Sequence, residues 1–171
     1  MVRKLCVIGL LAVGLIILSA SASMGGDAFL KGGYKQFRKE HDSEFNTWII
    51  SGGSDYKLIP YISLGFEIQY SHKKVEEQSF NWLNLYLNAK AYAYGGSVRP
   101  YVGGGVGLQT ATKWTGELEE TAFTKDVGYQ LLGGVAIGPP GALGLVLEAQ
   151  LQLPKDLDGI TAIHFMAGIT W

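Results

Sequence analysis

The last stretch of the sequence, residues 160–171, reads I-T-A-I-H-F-M-A-G-I-T-W and alternates between two sets of side chains. One set is largely apolar: Thr161, Ile163, Phe165, Ala167, Ile169 and Trp171. A period of two indicates a β-strand with one apolar face. The segment is also long enough to cross a bilayer as a tilted strand of about 9–11 residues, and the sequence stops on an aromatic residue. These features predict a membrane-spanning strand.

Seven further segments show an alternation that fits strands. They are residues 29–37, 45–57, 61–71, 82–92, 99–109, 127–137 and 143–153. The first alternates poorly. The third is clear, because Ile62, Leu64 and Phe66 alternate with polar or small residues. Eight strands are therefore expected, and an even number places both ends of the barrel domain on the same side.

The connections between these segments fall into two classes. Connections 58–60, 93–98 and 138–141 are short and nearly uncharged, whereas 39–44, 72–79, 112–124 and 154–159 hold most of the charge. Short turns at one rim and charged loops at the other are typical of transmembrane barrels. A β-sheet in hydrocarbon must close into a barrel so that every backbone N–H and C=O group is hydrogen-bonded. The predicted fold is all-β, an eight-stranded antiparallel up-and-down transmembrane β-barrel.

The N-terminal segment has the pattern of a secretory signal peptide. Arg3 and Lys4 precede the uncharged run 5–18, and small residues follow at 19–22. We expect cleavage after Ala22, with Ser23 as a close rival, leaving one barrel domain at 23–171; an uncleaved anchor is the alternative. The only cysteine, Cys6, would be removed with this segment. Without Arg3 and Lys4, 12 of the 14 basic residues remain against 15 acidic ones, a balance that predicts no nucleic-acid partner.

The region from Leu83 to Gly107 carries the most specific resemblance. Residues 83–92, a turn, and then R-P-Y-V-G-G-G-V-G at 99–107 resemble the central hairpin of small outer-membrane barrels of the OmpA, OmpX and opacity-protein kind. The resemblance covers essentially all of the chain after the signal peptide and implies a Gram-negative outer-membrane location. It also implies membrane lipid as a partner, together with an assembly machinery that reads the C-terminal aromatic residues Phe165 and Trp171. Roles in such relatives range from adhesion to envelope integrity.

The inward face is expected to hold a polar network that fills the barrel. Glu67 and Glu148 lie at similar depth, Lys35 matches that depth best as a partner, and Lys90 could reach them from nearer one rim. Buried carboxylates are costly unless paired. Bulky inward residues are expected to add to the filling: Tyr61, Trp82, Tyr86, Tyr92 and Tyr101. The sequence therefore predicts a plugged scaffold rather than a pore, since eight strands enclose little space.

Two other functions fit parts of the pattern. A soluble lipocalin-like barrel would turn the apolar face inward to bind an apolar ligand. The polar face is rich in Gly, Tyr, Asn and Gln, whereas a soluble surface would carry Lys and Glu, so the composition favours an apolar face turned outward to lipid. An outer-membrane acyl enzyme would need a nucleophile beside a base. Ser71 and His72 are adjacent and point to opposite faces of a strand, and His164 has no serine two residues away. No catalytic residue, cofactor or metal ligand is predicted.

One loop is a candidate for recognition at the surface. Loop 112–124 holds Trp114 beside acidic residues. It could bind a surface ligand, and the alternative is a solvated loop without a partner. A monomer is expected.

Overall fold

Eight antiparallel strands close into a barrel, each strand pairing with its neighbours in chain order and the last with the first. The computed structural model describes residues 26–38, 45–76, 78–93, 96–115, 124–154 and 161–171. The strands are β1 (Asp27–Phe37), β2 (Thr47–Ile59), β3 (Ile62–Val75), β4 (Gln78–Tyr92), β5 (Val98–Thr115), β6 (Thr124–Ile137), β7 (Gly144–Pro154) and β8 (Ala162–Thr170). The predicted number and order of strands are confirmed. The predicted signal peptide, residues 1–22, lies outside the described residues.

The barrel has two rims that differ in their connections. The turn rim carries connections 60–61, 93–97 and 138–143, the start of β1 and the end of β8. The loop rim is the opposite end. At the turn rim, the first and last strands of the barrel are joined by two backbone hydrogen bonds. Ala28 N donates to Trp171 O at 2.8 Å, and Trp171 N donates to Ala28 O at 2.9 Å. Within the described ranges, no helix is long and apolar enough to cross a membrane.

Strand alternation turns most polar side chains inward and most large apolar ones outward. On β4, Asn84 and Asn88 are buried while Leu85 and Leu87 are exposed to 47% and 66%. The same pattern runs along β7, where Glu148 is buried. Because adjacent residues of a strand face opposite sides, the period of two in the sequence sorts the two environments directly.

The region 72–79, predicted as a charged loop, is instead mostly strand. β3 continues to Val75 and β4 begins at Gln78, with His72 paired to Asn81 and Lys74 to Ser79. A tight turn at Glu76, whose φ is 52°, joins them. The charged residues do not prevent the two strands from pairing, because their side chains near the loop rim can be solvated while the backbone remains hydrogen-bonded. β5 also extends to Thr115, into the segment predicted as a loop.

Inward glycines on β5 allow close approach to its neighbour β4. A Cβ on Gly107 would overlap Leu85 O and lie 2.6 Å from Tyr86 Cδ1, whereas one on the outward Gly104 would be 3.4 Å from the nearest atom, Gln130 O. The bare inward face of β5 therefore makes room for the lumen side chains of β4.

Candidate functional site

A cluster of buried ion pairs lies inside the lumen. Lys31 Nζ on β1 lies 3.0 Å from Glu67 Oε1 on β3 and also contacts Glu148 Oε1 on β7. Lys90 Nζ on β4 lies 2.6 Å from Asp55 Oδ2 on β2 and 3.9 Å from Glu148 Oε2. All five side chains are buried. Five strands are thus tied together through paired charges rather than through an apolar core.

Carboxamides complete the hydrogen bonding of these carboxylates. Glu67 accepts from Gln69 Nε2 at 3.2 Å, from Asn88 Nδ2 at 3.2 Å and from Gln150 Nε2 at 3.1 Å. Gln150 Nε2 also lies 2.7 Å from Glu148 Oε1. Buried ion pairs offset their desolvation only when the remaining lone pairs are also satisfied. The side-chain amides of Gln69, Asn88 and Gln150 supply these additional hydrogen bonds.

The lumen is narrow toward the turn rim. Tyr101 OH donates to Glu148 Oε2 at 2.7 Å, and Tyr92 packs against Tyr101 with ring centroids 5.1 Å apart. Asp27 joins Lys57 at 3.0 Å and accepts a hydrogen bond from Gly141 N at 2.9 Å. A cavity among these groups measures about 20 Å³, enough for about one water molecule. This part of the lumen is filled by side chains.

An aromatic cluster lies at the loop rim of the lumen. Phe37 and Trp82 have ring centroids 5.4 Å apart, and Phe45 and Phe80 are 5.0 Å apart. Lys35 Nζ lies 4.8 Å from the Phe37 ring centroid and 5.3 Å from that of Trp82. Lys35 thus faces aromatic rings instead of a carboxylate.

The predicted lumen residues divide accordingly. Glu67, Lys90 and Glu148 lie in one cluster, but the expected pairing of Lys35 with the glutamates is wrong. Lys31 takes that place. Both lysines face inward on β1, and the stagger between tilted strands brings the one nearer the turn rim level with the glutamates. Sequence reasoning also missed Asp55, although the alternation of β2 had placed it on the polar face.

The bulky residues expected in the lumen are mostly there. Tyr86 and Tyr101 are buried, and Trp82 and Tyr92 are half-buried. Tyr61 is the exception: it is exposed to 45% in the turn between β2 and β3. The chain leaves the regular strand there, so alternation no longer determines the direction of this side chain.

The remaining sequence candidates lie apart from the ion-pair cluster. Phe165 faces outward and is exposed to 57%, while Trp171 is half-buried beside Ala28 at the turn rim. Recognition of Phe165 and Trp171 by an assembly machinery stays a prediction. Of loop 112–124, residues 112–115 belong to β5 and 116–123 lie outside the described residues, as does the side chain of Trp114.

The histidine and serine candidates for catalysis are not brought together. Ser71 is buried and His72 is exposed on the opposite face of β3. His164 is fully buried, with Nδ1 3.3 Å from Gln150 Oε1. In the part of the chain that the structure describes, no group of three or more His, Cys, Asp or Glu side chains could hold a metal ion.

Charged groups inside and an apolar surface outside define the transmembrane β-barrel class. Comparison with protein-family profiles finds no match, and no curated protein matches in sequence. Solved structures do match. Neisserial surface protein A (NspA) superposes with a TM-score of 0.72 at 14% identity, covering 85% of this chain and 96% of that one.

Two further matches have the same architecture. The N-terminal β-barrel domain of Pseudomonas aeruginosa OprF has a TM-score of 0.61 at 15% identity, covering 85% of this chain and 99% of that one. Ail, the attachment invasion locus protein of Yersinia pestis, in complex with the heparin analogue sucrose octasulfate, has a TM-score of 0.60 at 15% identity over 86% and 98%. The chain therefore has the fold of the small eight-stranded outer-membrane barrels, as the resemblance implied.

Proposed function

We propose that this protein is an integral outer-membrane β-barrel with a lumen filled by side chains, acting in envelope structure or surface interaction without catalysis. On this proposal, residues 1–22 direct export and are removed. The turn rim faces the periplasm and the loop rim faces the cell exterior, in line with the short-turn and long-loop asymmetry of such barrels.

The outer surface is the observation that carries the proposal. Among the described side chains that face outward from the strands, only His72 and Lys74 can carry charge. Most of the others are apolar and form a band around the barrel, the apolar band, which includes Leu85, Val102 and Leu147, each exposed to 47% or more. A soluble monomer rarely exposes a continuous apolar surface of this extent. This apolar surface is suited to contact with the hydrocarbon interior of a membrane.

The soluble lipocalin-like alternative is wrong in its orientation. It requires the apolar faces inside the barrel, and the structure puts them outside. The interior instead holds Lys31, Glu67 and Glu148 in contact. The cavity beside these charged groups measures about 20 Å³, which is too small for an apolar ligand.

A surface-interaction role is supported by the shape of the loop rim. β3, β4 and β5 have 14, 15 and 18 residues, whereas β8 has 9. The longer strands extend the sheet at one side of the rim. Two structural relatives are named as a surface protein and an attachment protein, which favours a similar exposure here. The absence of catalysis belongs to the proposal as well, since Ser71 and His72 face opposite sides.

Cell fractionation followed by gel electrophoresis tests the proposal. The protein should be found in the outer-membrane fraction and require detergent for extraction. Unheated and boiled samples should migrate differently, because a closed barrel resists unfolding by detergent. Intact-mass measurement of the extracted protein should show loss of residues 1–22. Recovery as a periplasmic protein soluble without detergent would end the proposal.

A further inference from the structure

A hydrogen-bonded polar cluster lies on the outer face of β3 and β4, between the apolar band and the loop rim. His72 and Asn81 are direct cross-strand partners. Asn81 Oδ1 lies 3.0 Å from the Tyr70 hydroxyl, which donates to it, and 2.9 Å from His72 Nδ1. Because a carboxamide oxygen can only accept, His72 Nδ1 carries the proton of the second bond. With Lys74, these side chains form what we call the β3–β4 polar cluster.

The cluster presents donors to its surroundings. Two accepted hydrogen bonds fix the orientation of the Asn81 carboxamide, so its Nδ2 group is directed away from Tyr70 and His72. The structure gives neither Asn81 Nδ2 nor Lys74 Nζ an acceptor among the described residues. Lys74 is exposed on the same outward face, two residues beyond His72. An oriented amide donor and an ammonium group on one surface suit a phosphate oxygen.

The cluster lies where the apolar band ends. Phe165, Tyr34 and Trp48 are consecutive cross-strand partners on β8, β1 and β2. Ile49 then pairs with Ser71, which makes Trp48 and His72 neighbours on adjoining strands. Trp48 is exposed to 75%. Aromatic residues gather at the interface between membrane and water, so the change from aromatic to polar residues between β2 and β3 marks the level of the lipid headgroups.

Apolar positions continue directly below the cluster on the same two strands. Ile68 on β3, and Leu83 and Leu85 on β4, all face outward. A molecule with a phosphate at Lys74 and Asn81 could lay its acyl chain along these residues. Free phosphate would gain nothing from them. Glu76, in the turn that follows β3, is an exposed acidic residue two positions beyond Lys74 and farther from the apolar band.

We infer that the β3–β4 polar cluster binds the phosphate of a lipid headgroup in the leaflet next to the loop rim. This inference rests on the proposed membrane location. It assigns to one part of the barrel surface a specific lipid contact that the apolar band alone does not provide. Lys74 supplies the charge, Asn81 supplies the directed hydrogen bond, and Tyr70 and His72 hold Asn81 in place.

Lipid titration of the detergent-solubilised protein tests the inference. Short-chain phosphatidic acid and diacylglycerol with the same chains would be added separately, and bound lipid would be counted by native mass spectrometry. The intact protein should prefer phosphatidic acid. Lys74→Gln and Asn81→Ala should each weaken phosphatidic acid binding by about three- to tenfold without changing diacylglycerol binding. The matched control Glu76→Gln, on the same hairpin, should not weaken it.

The outcomes separate the two proposals. Equal binding of the two lipids, or unchanged binding in both cluster variants, would overturn the inference while a heat-shifted gel band still supports the membrane barrel. Full competition by inorganic phosphate would show a free-anion site and would also overturn it. A protein that needs no detergent to stay in solution would overturn both proposals. All variants should keep the heat-dependent gel shift, because the substituted residues lie outside the barrel interior.

Discussion

Lys31 is the residue on which the lumen charges converge, since it contacts both Glu67 and Glu148. Lys31→Met would leave these two buried carboxylates without their shared cation. We expect it to lower the free energy of unfolding by about 3–5 kcal/mol, the usual cost of removing one partner of a buried pair. Urea titration in detergent micelles measures this.

Lys35→Met is the matched control on the same strand and the same face. Lys35 is buried and forms no ion pair with a described residue; its contacts are the rings of Phe37 and Trp82. Its replacement by an apolar side chain of similar length should cost at most about 1 kcal/mol. Equal losses for the two variants would mean that the ion pairs do not contribute as the geometry indicates.

The contrast between Lys31 and Lys35 also shows that the sequence does not predict which lysine pairs with the glutamates. Lys35, Glu67, Lys90 and Glu148 were all expected on the inward face, and the structure places all four there. The choice of partner depends on the stagger between strands, which is a property of the closed barrel and leaves no trace in the local sequence. Depth estimated by counting residues therefore selected the wrong lysine.

At the scale of the element, β5 offers a test of inward and outward glycines. Gly107→Ala would push a Cβ against Leu85 O and the Tyr86 ring. We expect a loss of about 1–3 kcal/mol in unfolding free energy, as for other overpacked interiors. Urea titration of the variant in micelles measures it.

Gly104→Ala is the neighbouring control. Its Cβ would meet Gln130 O at 3.4 Å and Leu131 Cδ2 at 3.7 Å, and it would point toward lipid. Its stability should match that of the unaltered protein or slightly exceed it, because alanine restricts the unfolded chain. If Gly104→Ala were the more damaging change, the assignment of the two faces of β5 would be incorrect.

The extended hairpin of β3 and β4 shows the limit of reasoning from charge. Residues 72–79 were predicted as a loop because they are polar and charged, yet His72, Lys73 and Lys74 all pair with β4. Hydrophobic alternation reports which side chains meet lipid or lumen. Beyond the apolar band both faces can be polar, so the signal fades while the backbone pairing continues.

The whole molecule was the most predictable level. The number of strands, their order and the two environments follow from a period of two that recurs along the chain, weakly in the first segment, and from short turns alternating with charged connections. Closure was expected because unpaired strand edges are not tolerated in hydrocarbon. The residues that fill the loop-rim mouth were less predictable, because Phe37, Phe45, Phe80 and Trp82 meet only after the barrel closes.

A filled lumen predicts little ion flow through the protein. Ion pairs, amides and tyrosines occupy the interior, and the cavity near the turn rim measures only about 20 Å³. Planar-bilayer recordings of the purified protein should therefore show no large and stable conductance, with a large porin as the positive control. Stable, water-filled channels would contradict the filled lumen.

Spin-label accessibility in lipid bilayers tests most directly whether the apolar face meets lipid. Single cysteines would replace Leu83, Leu85 and Leu87 on β4, and Lys74 on β3; the only native cysteine, Cys6, lies in the segment 1–22 that we propose is removed on export. The three β4 labels should collide with oxygen dissolved in hydrocarbon and be shielded from a water-soluble nickel reagent, while the label at position 74 should meet the nickel reagent. Labels at 85 and 87 that are open to the water-soluble reagent would contradict a membrane-spanning barrel.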